Sequence, residues 1–416
     1  MWAVPAWAAQ LPISPAMVPA TQRADAERLI IAALSEDPRT CTAAIDELEK
    51  LRTPLPVLRQ LVRHILIRDQ QTVLGARLPV DAAVVAGMEQ RLAVHRREMR
   101  DLIARLEDPE AVKLAEAKYQ VLMSAYGELC RVYHVRWQVL AAMRRRQPLL
   151  EIWRRTAEAG DRSFPAEAEQ KLVAAAERIV GMPQSRWPAL PLMSARVERD
   201  PSGLDGLGFY IVCREIEAWN CALEQVNSPQ ELINTMMVNA YREALGVLPC
   251  EMDAALVQAA RRHSREMIEL KYHGHTSPDP ANRTVAQRIR NAGYAGAGWG
   301  ENCGINFATG ERVFWGWFRS AAHHRNMVGE HFHAIGVGRW DHAWTQNYGC
   351  GPRLMLMSAE QRARHAVAGP LLPPQPDEKA APPARRRITT TEWRIYDPNN
   401  PGRSERIGER TVVDQP

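Results

Sequence analysis

Histidines are concentrated in one part of the chain, and a glutamate lies among them. Eight of the twelve histidines fall within residues 263–342, together with a Gly-Glu-Asn motif at 300–302. Neutral imidazoles and carboxylates are zinc ligands, and a carboxylate beside a bound water acts as a general base. We therefore predict a polar site built from His275, Glu301 and His323, each supplied by a different segment. The competing interpretation is a loop-rich surface on which histidines are merely tolerated.

Three chemical arrangements are open to these side chains. His275, His323 and Glu301 together make the three protein ligands of a catalytic zinc site, but they then leave no separate base. Alternatively, the two histidines hold a divalent metal weakly while Glu301 activates a water molecule. In the third arrangement Glu301 pairs with an imidazolium in a hydrogen-bonded network that fixes the loops. We favour this network, with metal binding as an option, over hydrolysis, because no serine or cysteine nucleophile stands in a recognisable motif.

Composition excludes several classes of protein. The chain has 416 residues, a net charge of +5 and 46% hydrophobic residues, which is typical of a soluble protein with room for two domains. Arginines occur in short runs and form no long basic tract, which argues against nucleic acid as a partner. No run of eighteen apolar residues is present, so we expect no transmembrane segment.

The N-terminus and the cysteines bear on the compartment. Residues 1–22 are apolar, rich in small residues and uncharged, and we expect them to be either the remnant of an export signal or disordered. The protein would then be extracellular or in the cell envelope or periplasm. One pair among Cys250, Cys303 and Cys350 could be bridged in an oxidising compartment, and buried free cysteines are the equal alternative.

Residues 23–227 are predicted to form a helical domain. Apolar residues recur at steps of three and four on both sides of Glu107-Asp108-Pro109, which predicts an antiparallel helical hairpin. Asp108 suits the N-cap of the second helix and Pro109 its first position. His95 and Arg136 interrupt the two apolar faces, and we place them at the edges of those faces.

Residues 228–357 are predicted to form a second domain, of the α+β class. Ser228 and Glu231 make a capping box at the start of a helix that Gly246 can end. Another helix spans residues 252–270, where His263 is interpreted as a packing residue, and a shorter one lies around 311–318. Alternating apolar residues at 334–339 and 343–348 predict strands. The Pro-rich segment 358–416 is predicted to be largely disordered, with an edge strand at 388–396 as the less favoured alternative.

Residues of about 232–350 resemble the CAP superfamily (cysteine-rich secretory proteins, antigen 5 and pathogenesis-related 1) in its bacterial, SCP-domain branch. No single motif is specific for this family, but the order of all the motifs along the chain is. The matching residues are Asn239-x-x-Arg242-x-x-x-Gly246, Leu256-x-x-Ala259, His275-Thr-Ser-Pro, Arg288, Ala292-Gly-Tyr, Gly300-Glu-Asn, Trp317-x-x-Ser320-x-x-His323, Asn326, Ile335-Gly-Val-Gly and Trp344-Thr-Gln.

The resemblance implies an α-β-α sandwich with a central cleft that carries two histidines and one or two glutamates. Carried over, the two histidines and the glutamate are His275, His323 and Glu301, and Ser320 is placed in the cleft with them. The second glutamate of the eukaryotic members falls near Ser320, so a four-residue site is incomplete here. His324 replaces the arginine that usually follows the cleft histidine, and the sequence does not explain this substitution.

Three functions are compatible with this sequence. The favoured one is a secreted or cell-envelope CAP protein that binds a lipid, glycan, peptide or protein partner through its cleft, with Zn²⁺ or another divalent metal held by His275 and His323 as an option. The second is a metal-dependent hydrolase in which Glu301 is the catalytic base. The third is an interaction scaffold that acts through the helical half.

Overall fold

The computed structural model describes residues 23–35, 38–78, 81–156, 161, 163–221, 223, 226–296, 299–364, 367, 369–374, 388–396 and 404–413. The segment 1–22, and with it the export-signal hypothesis, lies outside these residues. The prediction of a helical N-terminal region is confirmed. Its α-helices are α1 (Arg23–Ala33), α2 (Pro38–Lys50), α3 (Leu55–Gly75), α4 (Ala82–Ile103), α5 (Pro109–Thr156), α6 (Ala166–Val180), α7 (Ala195–Arg199) and α8 (Gly206–Cys221).

Helices α4 and α5 form the predicted hairpin. Asp108 begins α5, because its carboxylate accepts a hydrogen bond from the N–H of Glu110 at 3.0 Å. His95 lies at the edge of the apolar face, where its Nδ1 is 3.1 Å from the Lys118 ammonium. Arg136 is half-buried. The buried residues of the two apolar faces are Val85, Met88, Leu92, Met99, Leu102, Leu106, Leu122, Leu129, Val132, Val139 and Met143.

Helix α5 is longer than the predicted second helix and continues through Pro148. Its last third packs against α1, α2 and α3 in a separate apolar core. The short arginine run on this helix faces inward. Arg145 pairs with Asp69 of α3 at 2.5 Å, and Arg146 pairs with Glu169 of α6 at 2.5 Å. These buried ion pairs join three helices and leave no free basic surface at Arg145 and Arg146.

The C-terminal half is a sandwich in which a four-stranded sheet lies between two helical layers. Strand order is β1-β3-β4-β2; β1 runs parallel to β3, and the other pairs are antiparallel. The α+β class is thereby confirmed. The elements are α9 (Pro229–Leu245), β1 (Glu251–Met252), α10 (Ala254–Glu269), α11 (Val285–Asn291), β2 (Trp299–Ile305), α12 (Gly310–Phe318), α13 (Ala321–Val328), β3 (Ala334–Trp340) and β4 (Ala343–Gly349).

Local signals determine the ends of several of these elements. The capping box is present at the start of α9, with Ser228 and Glu231 exchanging both hydrogen bonds. Gly246 ends α9 in the left-handed conformation, at a φ of 78°. Strands β3 and β4 match the predicted strands, whereas β2 and α13 were not predicted.

Helix α10 packs directly onto β3 through two glycines. A side chain at Gly336 would meet the backbone of Leu256, and one at Gly338 would meet the backbone of Arg261. The glycines therefore allow the helix axis to approach the sheet closely. Ser264 of α10 donates a hydrogen bond to the carbonyl of Gly338 at 2.9 Å, which fixes the helix along this line.

The helical half and the sandwich share one continuous apolar core. At the junction, the ring of Tyr119 on α5 lies 5.2 Å from Tyr241 of α9 and 5.5 Å from Phe318 of α12, between ring centroids. Two arginines of α4 cap the C-terminal end of α9. Arg96 donates to the carbonyl of Ala244 at 2.8 Å, and Arg100 donates to the next carbonyl at 3.0 Å.

The C-terminal tail contains a short helix, α14 (Ala359–Arg364), and a hairpin of β5 (Ile388–Tyr396) with β6 (Ser404–Val413). The segment 388–396 is therefore a strand, which is the alternative that the sequence left open. Residues 375–387 and 397–403 lie outside the described residues, and the expectation of disorder stays a prediction there.

Two further observations concern the whole chain. All seven cysteines are free thiols, so no pair among Cys250, Cys303 and Cys350 is bridged in this structure. Across the described residues, no helix combines the length and the apolar character that crossing a bilayer requires.

The junction generates a testable prediction. Replacing Tyr119 with Ala removes the ring that fills the aromatic cluster, and we expect this to lower the free energy of unfolding by about 3 kcal/mol. Val121→Ala is the matched control, since Val121 is 44% exposed on the same helix and its loss should change stability by less than about 0.5 kcal/mol. Urea unfolding followed by circular dichroism measures both, and equal effects would contradict the shared core.

Candidate functional site

Strand β2 lies at the edge of the sheet and presents two sets of side chains. Because side chains alternate along a strand, Trp299, Glu301 and Cys303 point to the face covered by α10 and α11. Asn302 points to the opposite face, towards α13. The site predicted from sequence is therefore built around an edge strand that both helical layers approach.

Glu301 is the buried centre of this site. Its side chain is 1% exposed, and Nη2 of Arg288 donates to both of its carboxylate oxygens at 2.8 Å. The amide of Asn347 on β4, in the orientation that satisfies both of its ends, donates to Oε2 at 3.0 Å. The charge of Glu301 is thus compensated within the protein, as a buried carboxylate requires.

His275 connects Glu301 to the surface. Its Nδ1 lies 2.9 Å from Oε1 of Glu301, while half of the side chain (51%) is exposed. Arg288 also donates to the backbone carbonyl of His275 at 3.0 Å, so one guanidinium positions both members of the pair. With Nδ1 bonded to the carboxylate, Nε2 is the atom that His275 offers to a ligand.

His323 approaches from the other helical layer. It lies on α13, is half-buried, and is close enough to His275 and His273 for their charges to affect it. In the described part of the chain, no hydrogen bond joins its imidazole to Glu301. The structure therefore brings His275 and Glu301 into direct contact and places His323 beside His275.

Ser320 occupies the N-cap position of α13 without a side-chain cap hydrogen bond. Its carbonyl accepts a hydrogen bond from the N–H of His324 at 2.8 Å. Among the described contacts, none joins the Ser320 hydroxyl to His275 or Glu301. The residue shapes the turn between α12 and α13, and its assignment to the cleft stays a prediction.

The structure explains His324, which the sequence left open. The residue is fully buried, with Nδ1 2.7 Å from the carbonyl of Phe318 and Nε2 2.9 Å from the hydroxyl of Tyr241. The carbonyl requires a donor, so Nδ1 carries the proton and Nε2 accepts from Tyr241. A neutral imidazole with two partners fits this interior, where an arginine would bring a buried charge.

Side-chain amides attach α13 to the edge of the sheet. Asn302 donates to the carbonyl of His323 at 3.1 Å and to Gln346 Oε1 at 2.9 Å. Asn326 donates to the carbonyl of Glu301 at 3.2 Å and to Asn302 Oδ1 at 2.9 Å. These bonds satisfy the backbone carbonyl of Glu301 on β2 and hold His323 near the cleft.

The protonation equilibria follow from these contacts. Burial alone would raise the pKa of Glu301, but the hydrogen bond from His275 and the charges of His263 and Arg288 together hold it below its usual value. The hydrogen bond to Glu301 raises the pKa of His275 despite partial burial. Burial and repulsion by its neighbouring histidines lower the pKa of His323. The cleft therefore combines one histidine that favours the charged form with one that favours the neutral form.

Three metal-ligand groups lie together at the base of the site. Ligand atoms of His263, Glu301 and Cys303 are all within 4.8 Å of one another. They fit a metal poorly, because Arg288 already occupies both oxygens of Glu301 and burial raises the pKa of the Cys303 thiol well above its usual value. Nε2 of His263 also lies 3.0 Å from the carbonyl of Gly274. His275 and His323 are the better metal donors, since neither is fully engaged.

Cys303 is not arranged as a nucleophile. Its Sγ is 3.6 Å from Nδ1 of His275 and 3.5 Å from Oε1 of Glu301. A catalytic Cys–His–acid arrangement uses one imidazole nitrogen for the thiol and the other for the acid. Here the same nitrogen faces both groups, and the thiol is buried.

Two residues of the site, His263 and Cys303, and the role of Arg288 were not predicted from the sequence. His263 was interpreted as a packing residue, and it is buried, but its Nε2 also lies 3.8 Å from Glu301. Cys303 stood two residues from Glu301, so strand alternation would have found it had β2 been predicted. Arg288 was recognised only as a matching residue, although it is the main partner of the central carboxylate.

Comparison with known proteins identifies this part of the chain. Residues 235–349 match the family model described as CAP, the Cysteine-rich secretory protein family. This segment forms a CAP domain of the bacterial type. "Uncharacterized protein YkwD" of Bacillus subtilis (strain 168) is 31% identical over 114 residues, which are 27% of this chain and 44% of the relative. The chain thus covers less than half the length of this curated relative.

Two solved structures align with the CAP domain. An extracellular protein containing a SCP domain from Bacillus anthracis str. Ames is 25% identical, and the alignment covers 29% of this chain and 41% of that chain with a TM-score of 0.27. An outer surface protein from Borrelia burgdorferi is 19% identical, and the alignment covers 29% of this chain and 92% of that chain, also with a TM-score of 0.27.

The central ion pair of the CAP domain generates a prediction. In Glu301→Gln, Arg288 loses its buried counterion and His275 loses the carboxylate that stabilises its charged form. We expect the pKa of His275 to fall, and stability to drop by about 3 kcal/mol. NMR titration of the His275 ring protons measures the pKa. An unchanged value would contradict the observed His275–Glu301 bond, and His342, a half-exposed histidine beside Asp341, serves as the reference.

The buried His324 predicts how stability depends on pH. Burial lowers its pKa from 6.5 to about 4, so the unfolded chain binds a proton more readily and stability falls as pH drops through this window. His324→Asn keeps the donor to Phe318 but does not titrate. Between pH 7 and pH 5 the wild type should lose about 2 kcal/mol more than the variant. Urea unfolding at both pH values measures the difference, and parallel losses would contradict it.

Proposed function

We propose that the CAP domain is a binding module whose cleft presents His275 and His323 to a ligand, with Glu301 as a buried anchor. The observation that carries this proposal is the contrast in exposure within the site. Glu301 is buried and its oxygens are occupied, whereas His275 is half exposed and uses Nδ1, not Nε2, for its contact with the Glu301 carboxylate. The groups available to a ligand are therefore the imidazoles.

The edge of the site also suits a ligand with an apolar or planar part. Trp299 begins β2, is 47% exposed, and lies on the same face of the strand as Glu301. An exposed indole beside polar donors is a common arrangement in binding clefts for sugars, lipids and peptides. The proposed ligand classes are accordingly a glycan, a lipid or a peptide.

A divalent metal is an optional part of this function. His275 and His323 would hold it, because both have ring nitrogens that are not committed to Glu301 or to the backbone. Bound there, the metal would act as a Lewis acid towards an oxygen of the ligand. The hydrolase alternative is less well supported, since both oxygens of Glu301 accept hydrogen bonds and neither is free to activate water.

The remaining proposals concern organisation and location. We propose a helical domain at 23–227 that supports the CAP domain at 228–357, followed by the tail 358–416. The wall of the cleft formed by α12 and α13 rests on α5 through ion pairs such as Arg319–Glu116. We also propose export from the cytoplasm, on the basis of the family's secretory character and the composition of residues 1–22.

A binding screen tests the cleft. The full chain is compared with His275→Ala/His323→Ala on an oligosaccharide array, phosphatidylcholine vesicles, a random-peptide library and Zn²⁺. We expect at least one probe to bind the wild type and to lose affinity at least tenfold in the double variant, because its contacts to both imidazoles are gone.

The matched control is His64→Ala/His342→Ala, which removes two histidines outside the cleft and should leave binding unchanged. Binding that survives in the cleft variant and is lost on substitution of exposed α4 and α5 residues would replace this proposal with the scaffold function. Selective loss of Zn²⁺ binding alone would restrict the cleft to metal.

A further inference from the structure

The tail runs against α10 in a segment that we call the strap, residues 369–372. Gly369 adopts a left-handed conformation, with a φ of 78°, that turns the chain onto the helix. Just before it, Val367 packs against the apolar cluster that includes Leu256. The strap and the following Pro373 and Pro374 form neither helix nor strand. Proline-rich chain of this kind loses little conformational entropy when it is held extended.

Two side chains of α10 bind the backbone of the strap. Gln258 donates to the carbonyl of Pro370 at 2.7 Å and accepts from the N–H of Leu372 at 2.8 Å. Arg261 donates to the carbonyl of Leu372 at 2.8 Å. Because the two residues are three positions apart on the helix, they lie side by side on one face. Together the two side chains bind the carbonyl of residue 370 and both the N–H and the carbonyl of residue 372.

The site is preorganised for this task. Arg261 is 1% exposed, and its guanidinium is fixed by a 2.5 Å ion pair with the buried Glu231 and by the carbonyl of Val226 at 2.6 Å. Gln258 is fully buried beneath the strap. Held side chains that pair with main-chain groups are typical of peptide-binding sites, where main-chain hydrogen bonds supply affinity.

We propose that the side of α10 formed by Gln258 and Arg261 is a binding site for extended proline-rich peptide, which the strap of the same chain occupies. The position equivalent to 370 accepts proline, because only its carbonyl is used. The position equivalent to 372 excludes proline, because its N–H is required. The site shares no residue with the cleft and does not depend on the function proposed for the cleft histidines.

The test uses the full chain carrying Leu372→Pro, which removes the strap N–H that Gln258 requires and so releases the strap from the site. The probe is a fluorescent synthetic peptide of residues 367–376. We expect the peptide to bind this variant at least tenfold more tightly than it binds the wild type, whose site is filled. Adding Gln258→Met to the variant should abolish binding, and so should a peptide carrying Leu372→Pro.

Equal binding to the wild type and the strap variant, no binding to the variant, or binding that survives Gln258→Met would overturn the proposal. Hydrogen exchange of the wild type decides the matter if the strap variant does not fold. In Gln258→Met alone, the amide of Leu372 should exchange at least tenfold faster than in the wild type. Equal exchange rates would also refute the site.

Discussion

The CAP domain depends on one buried carboxylate. Glu301 lies in the interior with its charge intact, and such a group is stable only when its oxygens are paired. Arg288 from α11, His275 from the preceding loop and Asn347 from β4 meet this requirement together. Because each partner comes from a different segment, satisfying a single side chain also fixes how the helix, the loop and the edge strand meet.

The same constraint divides the cleft residues into those that hold Glu301 and those that reach the cleft surface. Arg288 and Asn347 donate their hydrogen bonds to the carboxylate. His275 bonds the carboxylate through Nδ1 in the interior and offers Nε2 at the boundary with solvent. His323 reaches this boundary because the side-chain amides of Asn302 and Asn326 hold α13 against β2. The family motif thus contains more residues that build the cleft than residues whose side chains reach its surface.

Local sequence signals predicted the elements whose ends carry their own hydrogen bonds. Ser228 and Glu231, Gly246, and Asp108 with Pro109 each mark a helix end through groups within a few residues of one another. The site was harder to predict, because its geometry depends on contacts between distant segments. His263 is interpreted as a packing residue until β2 is placed beside it. One of the two partners that explain His324 is Tyr241, which lies 83 residues away in the chain.

Helix α5 belongs to two apolar cores, and Pro148 lies near the point where one gives way to the other. A proline within a helix cannot donate to the carbonyl four residues earlier, so helix α5 lacks a backbone hydrogen bond at this point. Any bend of helix α5 should therefore be centred on Pro148. Arg145 and Arg146 precede Pro148 and tie α3 and α6 to the same stretch of α5, so the bundle of α1, α2 and α3 stays attached on both sides of the missing hydrogen bond.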